Sequence, residues 1–154
     1  MSGKHEKFMA LAIEEALAGA RAGEQPYGAV VVRAGEVVVR THSLANSSLD
    51  PTAHAEVTAV RKAAAKLRTP VLKDCTLYAS CEPCPMCCGA ILFAAIGTLV
   101  IGAPSDEQMR AFGRPKRTYT AEKLAESMNV KLEVIRGVLE RDAVNVFEAY
   151  KNRS

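Results

Sequence analysis

The chain has 154 residues, 49% of them hydrophobic and 24% charged, near the averages of globular proteins, which excludes intrinsic disorder as the main state. Twenty basic residues against 17 acidic ones leave a net charge of +3, an excess too mild to demand a polyanionic partner. Aromatic residues make up 5%, with no Trp, too few for the stacking rings that grip single-stranded nucleic acid. One domain over 1–154 is expected, large enough to bury a core without disulfide staples. No run of about 18 apolar residues occurs, and Glu6, Glu14 and Glu15 interrupt the apolar positions of the first 22 residues. The expectation is therefore a cytoplasmic protein with neither membrane span nor export signal.

From His5 to Ala22, Phe8, Met9, Ala12, Ile13, Ala16, Leu17 and Ala20 recur at three- and four-residue spacing, which predicts an amphipathic helix ended by Gly23. Two Val-rich runs, Tyr27 to Arg33 and Glu36 to Ser43, flank Ala34-Gly35 and predict a hairpin. Asn46 to Thr52 is rich in turn residues and predicts a loop, with Thr52 placed to cap a helix from Ala53 to Leu67. Next come a strand from Cys75 to Ser80, a buried helix from Cys84 to Ala95 and a strand from Thr98 to Gly102. Pro104 to Thr120 reads as irregular. Its Arg110, Arg114, Lys116 and Arg117, with no acid among them, read as a solvated loop rather than a phosphate site. A short helix from Thr120 to Ser127, a strand from Lys131 to Ile135 and a helix from Glu140 to Asn152 close the chain. The order predicts an α/β fold, a three-layer αβα sandwich on a central mixed sheet of about five strands, the last three paired in parallel.

All five cysteines fall between Cys75 and Cys88, too crowded to staple a fold, so metal binding or catalysis is favoured over disulfides. Cys84 and Cys87 form a Cys-x-x-Cys pair at a predicted helix start, where the helix dipole favours thiolate charge. His54, at another predicted helix start, supplies a third donor of the type zinc prefers. Three protein ligands leave a fourth position for water, the arrangement of catalytic rather than structural zinc. Glu56, two residues on, reaches that water without having to bind the metal, which suits a proton shuttle. Cys81, Cys84 and Cys87 also spell Cys-x-x-Cys-x-x-Cys, an iron–sulfur spacing, but that reading leaves His54 and Glu56 without a role. A structural zinc module would need a fourth protein ligand, for which Cys81 is the candidate. Cys75 and Cys88 read as core residues, as do Phe147 and Tyr150 on the last helix.

The segments DPTAHAEVTA (50–59) and CEPCPMCCGAI (81–91) resemble the signature of the zinc-dependent cytidine/deoxycytidylate deaminase superfamily. They are nearest the branch that holds bacterial guanine deaminases, nucleoside deaminases and tRNA adenosine deaminases, and QPYGAVV (25–31) is similar to that branch's first-strand pattern. The resemblance implies one zinc per chain held by His54, Cys84 and Cys87, with Glu56 moving protons from water to a ring nitrogen and then to the departing amine. It implies that the backbone around Cys81 and Glu82 accepts the amino group, that amides near Ala55 and Cys84 hold the far edge of the base, and that Tyr27 lines the pocket. Where the family commonly has an Asn at the end of the second strand, the spacing from His54 gives Ser43, so a broader pocket beside Ser43 is expected.

The expected activity is hydrolytic deamination of an amino-substituted nucleobase, with guanine to xanthine and ammonia as the leading case. The alternatives are deamination of adenosine in tRNA, of cytosine, a nucleoside or an aminotriazine, and, outside enzymes, the structural zinc module. The expected partner is a small-molecule base rather than a nucleic acid or a membrane. A homodimer is implied by resemblance alone.

Overall fold

In a computed structural model describing residues 2–153, the chain forms one five-stranded sheet and six helices. The elements run α1 (Ser2–Arg21), β1 (Gly28–Arg33), β2 (Glu36–His42), α2 (Ala55–Leu67), β3 (Cys75–Cys81), α3 (Pro85–Phe93), β4 (Thr98–Ala103), α4 (Ser105–Ala111), α5 (Ala121–Ser127), β5 (Glu133–Ile135) and α6 (Glu140–Lys151). The sheet order is β2-β1-β3-β4-β5. β1 pairs antiparallel with β2 and β3, whereas β3, β4 and β5 run parallel, as the alternation of strands and helices predicts.

The three central strands are apolar on both faces because helices cover both. On one side Val30, Val32, Tyr78 and Val100 meet Phe8, Met9, Ala12 and Ile13 of α1 and Val146 and Phe147 of α6. On the other, Ala29, Val31, Leu77, Ala79, Leu99 and Ile101 meet Ala55, Ala59 and Ala63 of α2 and Cys88 and Ile91 of α3. Cys75 and Cys88 are core residues, each 2% exposed. The edge strand β2 buries Val38 and Thr41 and leaves Glu36, Val37 and Arg40 exposed, with Arg40 paired to Glu14 of α1 and Thr41 to the start of α2. Gly23, at φ +89°, ends α1 in the left-handed region that glycine tolerates best.

Two local expectations are corrected. Pro104–Thr120 is not wholly irregular: α4 occupies Ser105–Ala111, its first turn carrying Asp106 and Glu107 and its inner side burying Gln108 and Met109. Thr52 does not cap α2, because Asp50 Oδ1 takes both its hydroxyl (2.6 Å) and its backbone N–H (2.9 Å). The N-cap is His54, whose side chain makes no capping bond and is free for other work. No helix among the described residues is long and apolar enough to cross a membrane.

The close approach of β1 to α1 positions Tyr27, the next residue back along the chain. A Cβ added at Gly28 would lie 2.1 Å from the Ala12 carbonyl oxygen and 2.6 Å from the Ala16 nitrogen, both backbone atoms that cannot swing aside. Gly28→Ala should therefore cost about 3 kcal/mol or more, lowering the thermal midpoint by roughly 6–12 °C in a calorimetric scan. A midpoint within about 2 °C of the natural protein would show that helix and strand are less tightly apposed than described.

Candidate metal centre and catalytic cavity

Two helix starts meet at the carboxyl ends of the parallel strands. β3 ends at Cys81 opposite Ala103 of β4, and the Glu82 N–H donates to the Ala103 carbonyl at 2.8 Å. The chain then turns through Pro83 into α3, with Cys84 at its N-cap and Pro85 in its first turn. On the neighbouring side, the Thr41 hydroxyl of β2 donates to the Ala55 carbonyl at 2.8 Å and ties the start of α2 to the sheet. His54 and Cys84, both in extended backbone conformation just ahead of their helices, thus face one another.

The donor atoms form a nearly regular triangle. His54 Nδ1 lies 3.6 Å from Cys84 Sγ and 3.5 Å from Cys87 Sγ, and the two sulfurs are 3.6 Å apart. Tetrahedral zinc, with Zn–S of about 2.3 Å and Zn–N of about 2.0 Å, requires N···S edges of about 3.6 Å and an S···S edge of about 3.8 Å. The triangle fits zinc within a few tenths of an ångström. Hydrogen bonding between the two sulfurs holds the half-exposed Cys84 thiol down to about 5 and pushes buried Cys87 up, so Cys84 ionises first. Its place at the start of α3 favours that charge.

Among the described residues, the metal-capable group consists of His54, Cys84 and Cys87. Cys81 stands outside it, 4% exposed, its thiol pushed well up by burial. Both the iron–sulfur reading and the closed structural zinc site need Cys81 as a ligand, so the donor set favours neither.

A cavity of about 210 Å³ opens against the triangle. His54, Glu56 and Cys84 form its metal side, and Cys81 and Glu82 contribute to the wall. Glu56, in the first turn of α2, is 6% exposed, and burial pushes its carboxyl up to about 7. The opposite wall carries Tyr27 and Gln108, with Arg114 and Arg117 beside them. Gln108 Nε2 donates to the Tyr27 hydroxyl at 2.5 Å, while Gln108 Oε1 is buried with no partner among the described residues. Such a carbonyl costs on the order of 1–3 kcal/mol.

Two positions expected at the substrate lie apart from this wall. Ser43 is 1% exposed, and its Oγ accepts the Ala45 N–H at 3.3 Å instead of bordering the cavity. Ala55 is fully buried, and its carbonyl is taken by Thr41. The basic stretch also divides, against the expectation of a solvated loop. Arg110 pairs with Glu107, and Lys116 pairs with Asp106 at 3.3 Å, whereas Arg114 and Arg117 border the cavity. Tyr119 anchors this segment, its hydroxyl donating to the Pro83 carbonyl at 2.6 Å. Gln108, Arg114 and Arg117 are the site residues that the sequence reading passed over. The Pro-Ser-Asp-Glu run at 104–107, a helix-start composition, was the signal that could have placed Gln108 on a helix.

Glu82 is held by charge. Its Oε1 accepts the Ser105 N–H at 3.2 Å and its Oε2 meets Arg136 at 2.7 Å, while Glu122 takes the same guanidinium through two oxygens. This network joins the turn before α3, the start of α4 and the end of β5.

A His-Cys-Cys triangle at paired helix starts on a mixed αβα sheet defines the class of zinc-dependent deaminases. The chain belongs to the family described as the cytidine and deoxycytidylate deaminase zinc-binding region, whose model matches residues 2–103. It is 50% identical over 91 residues to a guanine deaminase of Bacillus subtilis, a match covering 58% of this chain and 58% of that relative's length. It is 35% identical over 145 residues to the tRNA-specific adenosine deaminase of the same organism, covering 94% of this chain and 87% of the relative. The solved guanine deaminase of Nitrosomonas europaea superposes with a TM-score of 0.83 at 27% identity, over 96% of this chain and 85% of its own.

Because metal affinity here rests on three donors, Cys84→Ala should lose zinc and, with it, thermal stability, whereas Cys81→Ala should retain zinc near one ion per chain. Elemental analysis of the dialysed proteins distinguishes them. Equal loss in both variants would make Cys81 a ligand and the site a closed one.

Proposed function

We propose that this protein is a hydrolytic deaminase of an amino-substituted nucleobase, with guanine converted by water to xanthine and ammonia. The observation that carries the reading is a buried carboxylate, Glu56, beside three zinc-type donors on one side of a cavity sized for a single heterocycle. Zinc held by His54, Cys84 and Cys87 would supply the Lewis acidity that makes hydroxide available near neutral pH. Glu56 takes a proton from the attacking water and passes it to the ring nitrogen next to the reacting carbon; it then takes the second proton from the hydroxyl now on that carbon and gives it to the departing amine, so that the C–N bond breaks as the carbonyl forms and ammonia leaves. One carboxylate thus serves every transfer and ends as it began. The backbone at Cys81 and Glu82 accepts the amino hydrogens, the backbone amide at Cys84 holds the far edge of the ring, and Tyr27 lines the pocket. Five cysteines without disulfides suit a reducing compartment, and we place the enzyme in the cytoplasm.

A second reading, deamination of adenosine in tRNA, is supported by a different observation. A cavity of about 540 Å³ adjoins the first, shares Glu82 and Arg117 with it, and carries Lys116, Lys123 and Arg136. Lys116 and Arg136 are paired with Asp106, Glu82 and Glu122, so Arg117 and Lys123 are the cations there that suit phosphates, and binding through them would fall with salt. The assembly reading, a homodimer, is supported by Phe93, which is 83% exposed beside Val60, Ala90 and Ala94 on the outer side of α2 and α3.

Ammonia release should be fastest with guanine in a panel that also holds cytosine, guanosine, an aminotriazine and tRNA. Glu56→Gln should keep its zinc and lose roughly 10²–10⁴-fold in turnover, as removal of a general acid–base does. Retained turnover would remove Glu56 from the mechanism, loss of zinc would make it a ligand, and inosine formed in tRNA at low enzyme concentration would favour the second reading. For the assembly, Phe93→Asp should convert a dimer to a monomer in analytical ultracentrifugation; a natural protein that is already monomeric contradicts it.

A further inference from the structure

The wall opposite the metal donors holds a polar pair that the deamination chemistry does not use. Gln108 projects from α4, is 6% exposed, and borders the same cavity as His54 and Glu56. Its Nε2 is spent on the Tyr27 hydroxyl, whereas its Oε1 is buried without a partner among the described residues. Buried polar atoms in folded proteins are ordinarily paired, so an unpaired one at a cavity wall is an acceptor waiting for a ligand's donor. With Nε2 meeting the phenol oxygen, the end of the amide in excess of what the fold needs is the acceptor.

The pairing also sets the role of Tyr27. The ring is fixed by an edge contact with Phe147, centroids 6.4 Å apart, and by the tight seat of the following Gly28 against α1. Its phenol oxygen already accepts from Gln108, which leaves the phenol's own proton as the group to offer. Burial pushes that phenol up to about 12, so the proton stays on across the working range. The wall therefore presents an O–H donor and a C=O acceptor side by side on rigid supports. Its complement is a ring carbonyl next to a ring N–H, the lactam edge of guanine and of free cytosine; adenine lacks it.

We propose that Gln108 is a specificity-determining residue, its Oε1 accepting a ring N–H while the Tyr27 hydroxyl donates to the adjacent ring carbonyl, so that the cavity selects amino heterocycles bearing a lactam edge. This rests on the nucleobase deaminase reading and names the substrate class within it. The side-chain amides in the cavity lining come from Gln108 of α4 and from Gln25, and not from Ser43 at the end of β2, whose hydroxyl bonds the Ala45 N–H.

The test compares guanine with 2-aminopurine, which carries the same amine but neither the N–H nor the carbonyl, in zinc-loaded natural protein, Gln108→Leu and Tyr27→Phe. A site built to pair a polar edge discriminates strongly against a ligand that leaves it unpaired. The natural protein should favour guanine in kcat/KM by about 100-fold or more. Gln108→Leu should lose about 100-fold on guanine and less than about threefold on 2-aminopurine, with Tyr27→Phe shifting the ratio in the same direction. The thermal midpoint of Gln108→Leu should not fall by more than a few degrees, since the leucine replaces an unpaired carbonyl. An equal loss on both purines would mean that Gln108 merely packs α4, and overturns the proposal. If the natural protein turns over neither purine, the guanine reading fails separately, and calorimetric binding of xanthine and uracil, both of which carry the edge, decides this one. Binding of either by the natural protein, weakened tenfold or more in Gln108→Leu, supports it; unchanged binding, or none to the natural protein, overturns it.

Discussion

The organising constraint in this molecule is electrostatic: two helices begin at one point, and their unpaired N–H groups face the same few ångströms of space. Negative charge is favoured there: the Cys87 thiol first, then the backbone N–H groups of Cys87 and Met86 at the start of α3, hold the half-buried Cys84 toward thiolate. The mixed sheet exists to hold that meeting. β3 and β4, in parallel register, end together at Cys81 and Ala103 and turn the chain into α3. Thr41 of β2 pins the start of α2. A displacement of about an ångström in either helix would open the donor triangle beyond what a single zinc ion can bridge.

Around this point the protein separates its tasks by polarity. The two apolar layers are filled with Val, Ala, Ile and Leu and contain no chemistry. Buried Glu56, Glu82 and Gln108 gather at the cavity. Glu82 is neutralised by Arg136 and joins three segments of chain. Tyr119 clasps Pro83 and carries Arg117 to the rim. Among the described residues, Gln108 keeps a buried oxygen unpaired. The metal-donor side of the cavity and the wall with Tyr27 and Gln108 are built from different elements, α2 and α3 against α4 and the segment before β1, so that wall can vary without disturbing the metal donors.

The parts legible in the sequence are those where one residue type has one physical use. Val-rich runs about Ala34-Gly35 can hardly be other than a hairpin, and His54 with Cys84 and Cys87 has few uses besides metal. Cys75 and Cys88 read as core and are core. What escaped was decided by competition between partners. Thr52 is a good cap, yet Asp50 captures its hydroxyl first and leaves the cap position to His54. The helix α4 is only two turns long and buries Ser105 and Gln108 in place of apolar residues, so no hydrophobic period announces it. Ser43 was placed at the substrate by its spacing from His54, but its short side chain turns to the Ala45 amide. Arg114 and Arg117 look like the solvated charges beside them until the fold brings them to the cavity, a non-local event that spacing does not encode.

The central claim is a zinc ion held by one histidine and two cysteines with its remaining coordination left to water and substrate. X-ray absorption at the zinc edge of the purified holoprotein tests it most directly. The account predicts two sulfur scatterers near about 2.3 Å and nitrogen or oxygen scatterers near about 2.0 Å, with the light-atom shell changing when a base is added. Three or four sulfurs around the metal, unaltered by any base, would contradict it and make the centre a structural one.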